Sequence, residues 1–345
     1  VKNKNTAVEV DLWDEFTNIE DFKREIVDKR SGKLAREVQL DIMGENVFRS
    51  VQAVVTNTAN LAMIGSAAAK LDELAVDGDK VDFQTPTVFS DIGDSSLKNF
   101  LPSATMDKIY GERNLGKYHT AAQVELTGLP IINTTGADAA PTISATVVKD
   151  ASNNVIGLKP ISTITGSGTG SLIKGVPYKV SGLKIVDESG IETAQEFIVI
   201  VNEEVQYDAD GVAQTVQYIP EIRVTVDGKG YGNPNAHIDA TTLAAAISGT
   251  TATFTLSLAV SAGHLYQIGQ CRTIKALSFD QYRFDDLPAA KIDSVGTYGN
   301  LTLKMQSGNQ LLNGVNCLRI DLPWCAKLFE PRKSVTTYLD LGSAS

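Results

Sequence analysis

The chain has 345 residues, 43 % hydrophobic and 21 % charged, which leaves room for two or three domains and excludes global disorder. A formal charge of −10 argues against sequence-independent nucleic-acid binding, which needs a basic surface. Cys271, Cys317 and Cys325 are odd in number and lack C-x-x-C spacing, so a disulfide framework or zinc knuckle is not expected and a reducing compartment is. No apolar run nears the ~20 residues of a membrane span, and no apolar segment of signal type follows the first lysines.

Val1 to Trp13 alternates after Asn5, with Val8, Val10 and Leu12 on one side and Ala7, Glu9 and Asp11 on the other. That is a strand with one apolar face. The chain begins with Val, which implies processing or truncation. With nothing before it, the strand reads as the second half of a hairpin whose first half is absent. Such an unpaired edge is a liability in a monomer and an asset in an assembly.

Asn18 to Thr56 carries the organising element. Ile19, Phe22, Ile26, Leu34, Val38 and Ile42 form one apolar stripe, with Glu20, Lys23, Arg24, Asp28, Arg36 and Glu37 on the wet side. Asn18 is a suitable N-cap, Asp21 can answer it, and Glu20 with Arg24 makes a four-residue charge pair. Gly32 costs roughly 1 kcal/mol against Ala, so a helix bent or broken at Ser31–Gly32 is expected, ending near Met43–Gly44.

Further on, Asn57 to Leu74 is Ala-rich and helix-prone, and residues 76–79 make a turn. Val81 to Phe89 reads as extended, Asp91 to Asn99 as loop, and Pro102 to Tyr110 as a short helix. Ala121–Leu126 and Leu129–Ile132 read as strands around a Gly-Pro bend. At Asn133 the composition shifts to Thr, Ser, Val and Gly. Strands are predicted at Ile143–Lys149, Val155–Leu158, Pro177–Val186, Ala194–Val201, Ile219–Val226 and Ala252–Ala259, separated by turn signals. Their spacing suggests a small barrel or sandwich, with one helix at Asp239–Ile247 capped by Asp239. The block 133–263 reads as an insertion. Strands return at Gln267–Ser278, Gly299–Ser307, Val315–Leu322 and Lys333–Leu341, before a terminal Gly-Ser-Ala-Ser that is expected to fray.

Chemistry-bearing motifs are sparse. His119, His237 and His264 have no second His or Cys at ligand spacing, so a structural role is expected for each. GSGTGSLIKG (166–175) lacks the Lys-Ser/Thr pair of a phosphate loop and precedes a strand, so it reads as a flexible turn. DADG (208–211) lacks the remaining ligands of a calcium loop and reads as a hairpin turn. Glu203-Glu204 and Asp285-Asp286 read as solvated faces. There is no G-x-S-x-G elbow. A chain this long without a reaction centre leans toward structure or binding.

The order of parts resembles a tailed-phage major capsid protein of the HK97 type, in the short-tailed-phage (podovirus) subgroup with an inserted β-barrel. DLWDEFTNIEDFKREI resembles the join of extended loop and spine helix, and KLAREVQLDIMGENV the helix continuing into the core. IYGERNLGKYHTAAQVELTGLPII resembles the approach to the insertion, KGVPYKVSGLKIV the inserted barrel, and LRIDLPWCAKLFEPRKSVTTYLDL the closing strands. The arm and first extended-loop strand expected ahead of Val1 are missing, and the family's Arg-Pro-Glu appears only as Glu330-Pro331-Arg332.

The resemblance implies an α+β fold. Residues 1–13 would form the extended-loop return strand, 14–90 a peripheral domain with the spine helix and 91–132 the first part of an axial domain. Residues 133–263 would form the inserted antiparallel β-barrel, and 264–345 the closing strands. It implies no catalysis, cofactor or metal, and no membrane. The function implied is self-assembly into hexamers and pentamers of an icosahedral virion shell, built in the host bacterial cytoplasm. Portal and scaffolding proteins would be partners, and DNA would be enclosed without sequence-specific binding. Contacts with neighbouring subunits would fall to Val8 and Val10 on a strand lying over a neighbour, and to Glu20, Lys23, Arg24 and Asp28 on the helix. Lys149, Asp150, Asn153 and Asn154 would make contacts at a loop tip, where reversing Lys149 and Asp150 is expected to weaken assembly and leave the subunit folded. Two rivals differ in class: a surface-layer or extracellular β-rich binding protein with 133–263 as ligand domain, and an enzyme with a dispersed site.

Overall fold

The structure, a computed structural model, describes residues 2–10, 28–94, 117–118, 120–168, 170–206, 215–226, 229–230, 234–281, 294–298, 301–310 and 315–344. In chain order come strand β1 (Lys2–Val10), helix α1 (Lys29–Asn46), β2 (Ala53–Thr56), α2 (Leu61–Glu73), β3 (Lys80–Gln84) and α3 (Pro86–Asp94). Short strands β4 (Lys117–Tyr118), β5 (Ala121–Glu125) and β6 (Ile131–Asn133) follow. The Thr-rich block gives β7 (Thr142–Lys149), β8 (Val155–Leu158), β9 (Ile161–Thr165), β10 (Ser171–Leu172), β11 (Pro177–Val186) and β12 (Glu192–Ile200). It continues with β13 (Val205–Gln206), β14 (Thr215–Ile222), β15 (Val224–Val226), β16 (Lys229–Gly230), β17 (Ala236–Ile238), α4 (Ala240–Ala246), β18 (Ile247–Ser248) and β19 (Thr251–Leu258). The last strands are β20 (His264–Thr273), β21 (Leu277–Asp280), β22 (Ser294–Tyr298), β23 (Leu301–Gln310), β24 (Val315–Leu328) and β25 (Ser334–Ser343).

The chain divides into two compact units, Val1–Glu45 with Leu277–Lys327, and Asn46–Ala276 with Leu328–Ser345. In the first, the sheet runs β1-β24-β23-β22, with β21 also on β24. β1 is antiparallel to β24, from Lys2 opposite Trp324 to Val10 opposite Asn316. The strand expected to lack a partner therefore has one in its own chain, from residues more than three hundred positions away. Helix α1 lays Leu34 and Val38 against Leu303, Ile320, Leu322 and Trp324. It is continuous through Ser31–Gly32 and runs to Asn46, past the predicted stop. Burial of this stripe outweighs the local cost of Gly32, since packing supplies most helix stability in proteins. Lys2 pairs with Glu45 and lies 5.6 Å from the Trp324 ring centre, and Lys4 reaches Asp41 at 3.0 Å. On the opposite face, Asn3 donates to Asp321, which also accepts from Arg319 Nη2 at 2.8 Å.

In the second unit a mixed sheet runs β2-β25-β20-β3-β5-β4, with β6 also on β20. Helix α2 packs Ala67, Ala68 and Leu71 with Val54, Ala121, Cys271 and Val335. Helix α3 adds Val88 and Ile92 to Met63, Ile64 and Leu339. The extended reading of Val81–Phe89 stops at Gln84, because Pro86 suits the first turn of a helix and Val88 with Ile92 supplies its apolar face. The same helix overrides the loop expected from Asp91 as far as Asp94.

A second sheet, β14-β9-β7-β19-β11-β17-β15-β16 with β8, β12 and β18 as branches, is drawn wholly from residues 142–258. Strand β7 alternates: Ile143, Ala145 and Val147 point in, while Ser144 and Thr146 are exposed. Its core is continuous with Phe48 and Val51, which precede β2, and with Tyr266, Ile268 and Tyr338 of the mixed sheet. Asp239 caps α4 by accepting from the Thr242 N–H at 2.8 Å. The tail expected to fray instead extends β25 to Ser343, and Ala344 N–H donates to Gly263 O at 2.8 Å. The strand expected over Gln267–Ser278 starts earlier, at His264, and gives way to a 3₁₀ turn at Ile274–Ala276.

Candidate functional site

Among the predicted contact residues, Glu20, Lys23 and Arg24 lie outside the described residues, as do Asn18, Asp21, the Pro102–Tyr110 segment, DADG, His119 and Asp285-Asp286. Asp28 is exposed just ahead of α1, where a carboxylate complements the helix dipole. Val8 and Val10 sit opposite Leu318 and Asn316 in the β1–β24 ladder, so one edge of their strand is filled within the chain. The other edge of β1 carries no strand among the described residues.

Lys149, Asp150, Asn153 and Asn154 are brought together in the exposed turn joining β7 to β8. Asp150 Oδ1 accepts from the N–H groups of Ser152 and Asn154 at 2.9 and 2.8 Å, and Asn154 Nδ2 donates to Oδ2 at 3.3 Å. Asn153 takes φ of 65°, a left-handed conformation that Asn tolerates. Asp150 therefore shapes the turn. Reversing its charge removes these bonds and loosens the turn locally.

The segment read as a flexible GSGTG turn is fastened. Ser167 N–H and Oγ donate to the buried Asp138 carboxylate at 2.6 Å each, and Ala140 N–H adds a third bond at 3.1 Å. Gly170 has φ +84°, and a Cβ there would stand 2.8 Å from Gly136 O. The Glu330-Pro331-Arg332 segment likewise works as a latch within its unit. Arg332 Nη1 donates to Asp187 O at 3.1 Å and to Val186 and Pro234 O at 3.5 Å, and Lys333 pairs with Glu188 at 2.7 Å.

His264 Nδ1 meets Asp340 at 2.9 Å, and His237 Nδ1 meets Glu192 at 3.0 Å. Among the described residues no group of three or more His, Cys, Asp and Glu could hold a metal ion, and no helix is long and apolar enough to cross a membrane.

Two features went unseen in the sequence. The first is a buried carboxyl. Asp82 is fully enclosed in β3, opposite Cys271 on β20 and Gln123 on β5, and accepts one hydrogen bond, from Gln84 Nε2 at 3.1 Å. Its second oxygen has no hydrogen-bond partner among the described residues. Burial pushes its carboxyl up to about 7, opposed only by the Gln84 bond.

The second is a cavity of about 350 Å³ lined by Ile131, Ile132, Asn133, Thr135, Ser171, Ile173, Lys174 and Glu204. β6 forms one wall and, among the described residues, pairs only with β20. Ile268 N–H donates to Pro130 O, and Thr134 N–H to His264 O. Antiparallel ladders alternate, so Ile132 continues that series while Ile131 and Asn133 turn their N–H and C=O groups away from β20. The Ile131 side chain is 57 % exposed beside the buried Ile132. That Ile-Ile pair, with one member forced outward, was the available signal.

No protein-family model matches the chain, and no curated protein sequence does. Solved structures give distant matches. A chain of the acid-stable capsid of Helicobacter pylori bacteriophage KHP30 matches at 8 % identity and TM-score 0.44, over 99 % of this chain and 75 % of that one. A Mycobacterium phage Che8 chain matches at 9 % and 0.42, over 97 % and 70 %. A chain of the bacteriophage PhiM1 mature capsid matches at 11 % and 0.41, over 98 % and 71 %.

Proposed function

We propose that the chain is a structural subunit of a tailed-phage shell of the HK97 type, that it self-assembles into hexamers and pentamers, and that it encloses DNA without reading its sequence. The supporting observation is the build of the first unit. A strand from the start of the chain seals against one near its end, and helix α1 with its narrow apolar stripe lies across them. The strand's outer edge is left without a partner among the described residues. An exposed strand edge of nine residues is a hazard for a monomer and a template for pairing in an assembly. The charge of −10 suits a container that does not grip its contents. On this reading Glu20, Lys23, Arg24 and Asp28 and the turn Lys149–Asn154 face neighbours, 133–263 is an insertion, and portal and scaffolding proteins guide closure.

The test is particle mass by light scattering, with negative-stain images of the same purified sample. Uniform hollow shells, or pentamers and hexamers that convert to shells, are expected. A chain that stays monomeric at high concentration with a scaffolding partner present overturns the proposal.

A further inference from the structure

We infer that the β6 slot receives an extended segment from a second copy of this chain, which adds a strand to the outer edge of β6; the inference rests on the shell reading above. The slot is built for backbone. Ile131 and Asn133 present two N–H and two C=O groups along one line, spaced as a ladder requires, and no strand of the described chain takes them. The facing wall, Ser171 to Lys174, cannot serve as that partner. Ser171 already donates to Gly136 O and accepts from Asp138 N–H, and Leu172 pairs with Val205. Between the walls, Ile131 and Ile173 offer apolar contact to alternate side chains of an inserted strand. Lys174 and Glu204 are both exposed and take part in no ion pair among the described residues, so the rim offers one charge of each sign.

Those features specify an extended peptide and not a compact ligand. The size of the slot decides its source. Four backbone hydrogen bonds are too few to hold a free partner at ordinary concentration, whereas copies held together by other contacts present one another at high effective concentration. A rim that is neutral overall also adds no repulsion between copies of an acidic chain. The contact joins two different surfaces, so it propagates round a ring or shell.

The decisive experiment is amide hydrogen exchange, localised to 130–134, on assembled particles and on dissociated subunits of the same chain. The Ile131 and Asn133 amides are expected to exchange freely in the subunit and at least about tenfold more slowly in the particle. Equal exchange in both states overturns the inference and leaves the shell reading standing. Ile131→Pro removes the outward N–H and spares the β20 ladder, while Ile131→Lys adds a charge at an exposed site and serves if the first variant fails to fold. Either is expected to leave a folded subunit with particle yield reduced about tenfold, and wild-type yield from a folded variant overturns the inference. If the native chain forms no particles, the shell reading falls by itself. The same exchange measurement at high concentration then decides the slot: protection on self-association supports it, and a monomer with free amides overturns it.

Discussion

Asp82→Asn isolates the free energy stored in one buried carboxyl. The group ionises near 3.8 in an unfolded chain and at about 7 in the folded one, because the charged form loses its hydration and gains only the Gln84 bond. The sign follows from proton binding. Between those limits the folded chain holds a proton that the unfolded chain has released, so stability falls as pH rises from about 4 to about 7 and is level above. The interval is about three units, each worth about 1.36 kcal/mol, so the penalty at pH 8 approaches about 4 kcal/mol. Asn keeps the shape and carries no charge. The measurement is urea unfolding of dissociated subunits of both proteins at pH 4.5, 6 and 8. The variant's advantage should be smallest, about 1 kcal/mol, at the lowest pH and grow to several kcal/mol at the highest, with an unchanged denaturant slope. The buried Cys271 thiol is held high by burial first and by the Asp82 charge second, well above the range scanned. Parallel pH profiles for the two proteins would refute the reasoning.

Gly44 lies inside α1 with no atom near an added Cβ, so Gly44→Ala should stabilise by about 0.5–1 kcal/mol, read as a higher denaturation midpoint. Arg332→Ala strips donors from the carbonyls of Val186, Asp187 and Pro234 and should cost about 1–3 kcal/mol; Arg332→Lys should recover only part of it, because a single ammonium cannot copy the planar fork. Asp150→Ala should cost about 1 kcal/mol and speed exchange at the Ser152 and Asn154 amides, while Asp150→Asn keeps an acceptor and should stay close to the native rates.

Elements set by local chemistry were legible. Strands β8 and β11 fall on their predicted bounds, and α4 starts where Asp239 supplies an acceptor for the first free N–H groups. Elements set by distant partners were not. In Lys-Val-Asp-Phe-Gln the period-two pattern places Val81 and Phe83 inside. The structure buries Lys80, Asp82 and Gln84 and leaves Val81 and Phe83 partly exposed. That inversion rests on what covers the strand. The small side chains of α2 sit over one face, Lys80 finds Asp72 on that helix, and Gln84 reaches Thr337 on β25 at 3.1 Å. The pattern of a five-residue strand contains none of this. The partner of β1 was likewise out of reach, since pairing across the length of the chain leaves no periodic trace.

The candidate contact surfaces share a reason for their invisibility. A search for chemistry in a sequence looks for side chains at diagnostic spacings, and here it found isolated histidines and solvated carboxylates. The outer edges of β1 and β6 act instead through N–H and C=O groups that almost every residue carries, so no residue type marks them. What makes an edge available is topology: which strands the fold places beside it, and where the ladder stops. Side chains then only tune the edge. On β1, Lys2 and Lys4 are tied to Glu45 and Asp41, which holds the strand in place, and no strand among the described residues takes its far side. On β6, the outward Ile131 and the rim charges Lys174 and Glu204 select what lies alongside. If the chain pairs with copies of itself as proposed, backbone groups at these edges carry the contact, and a motif search has no residue type to find.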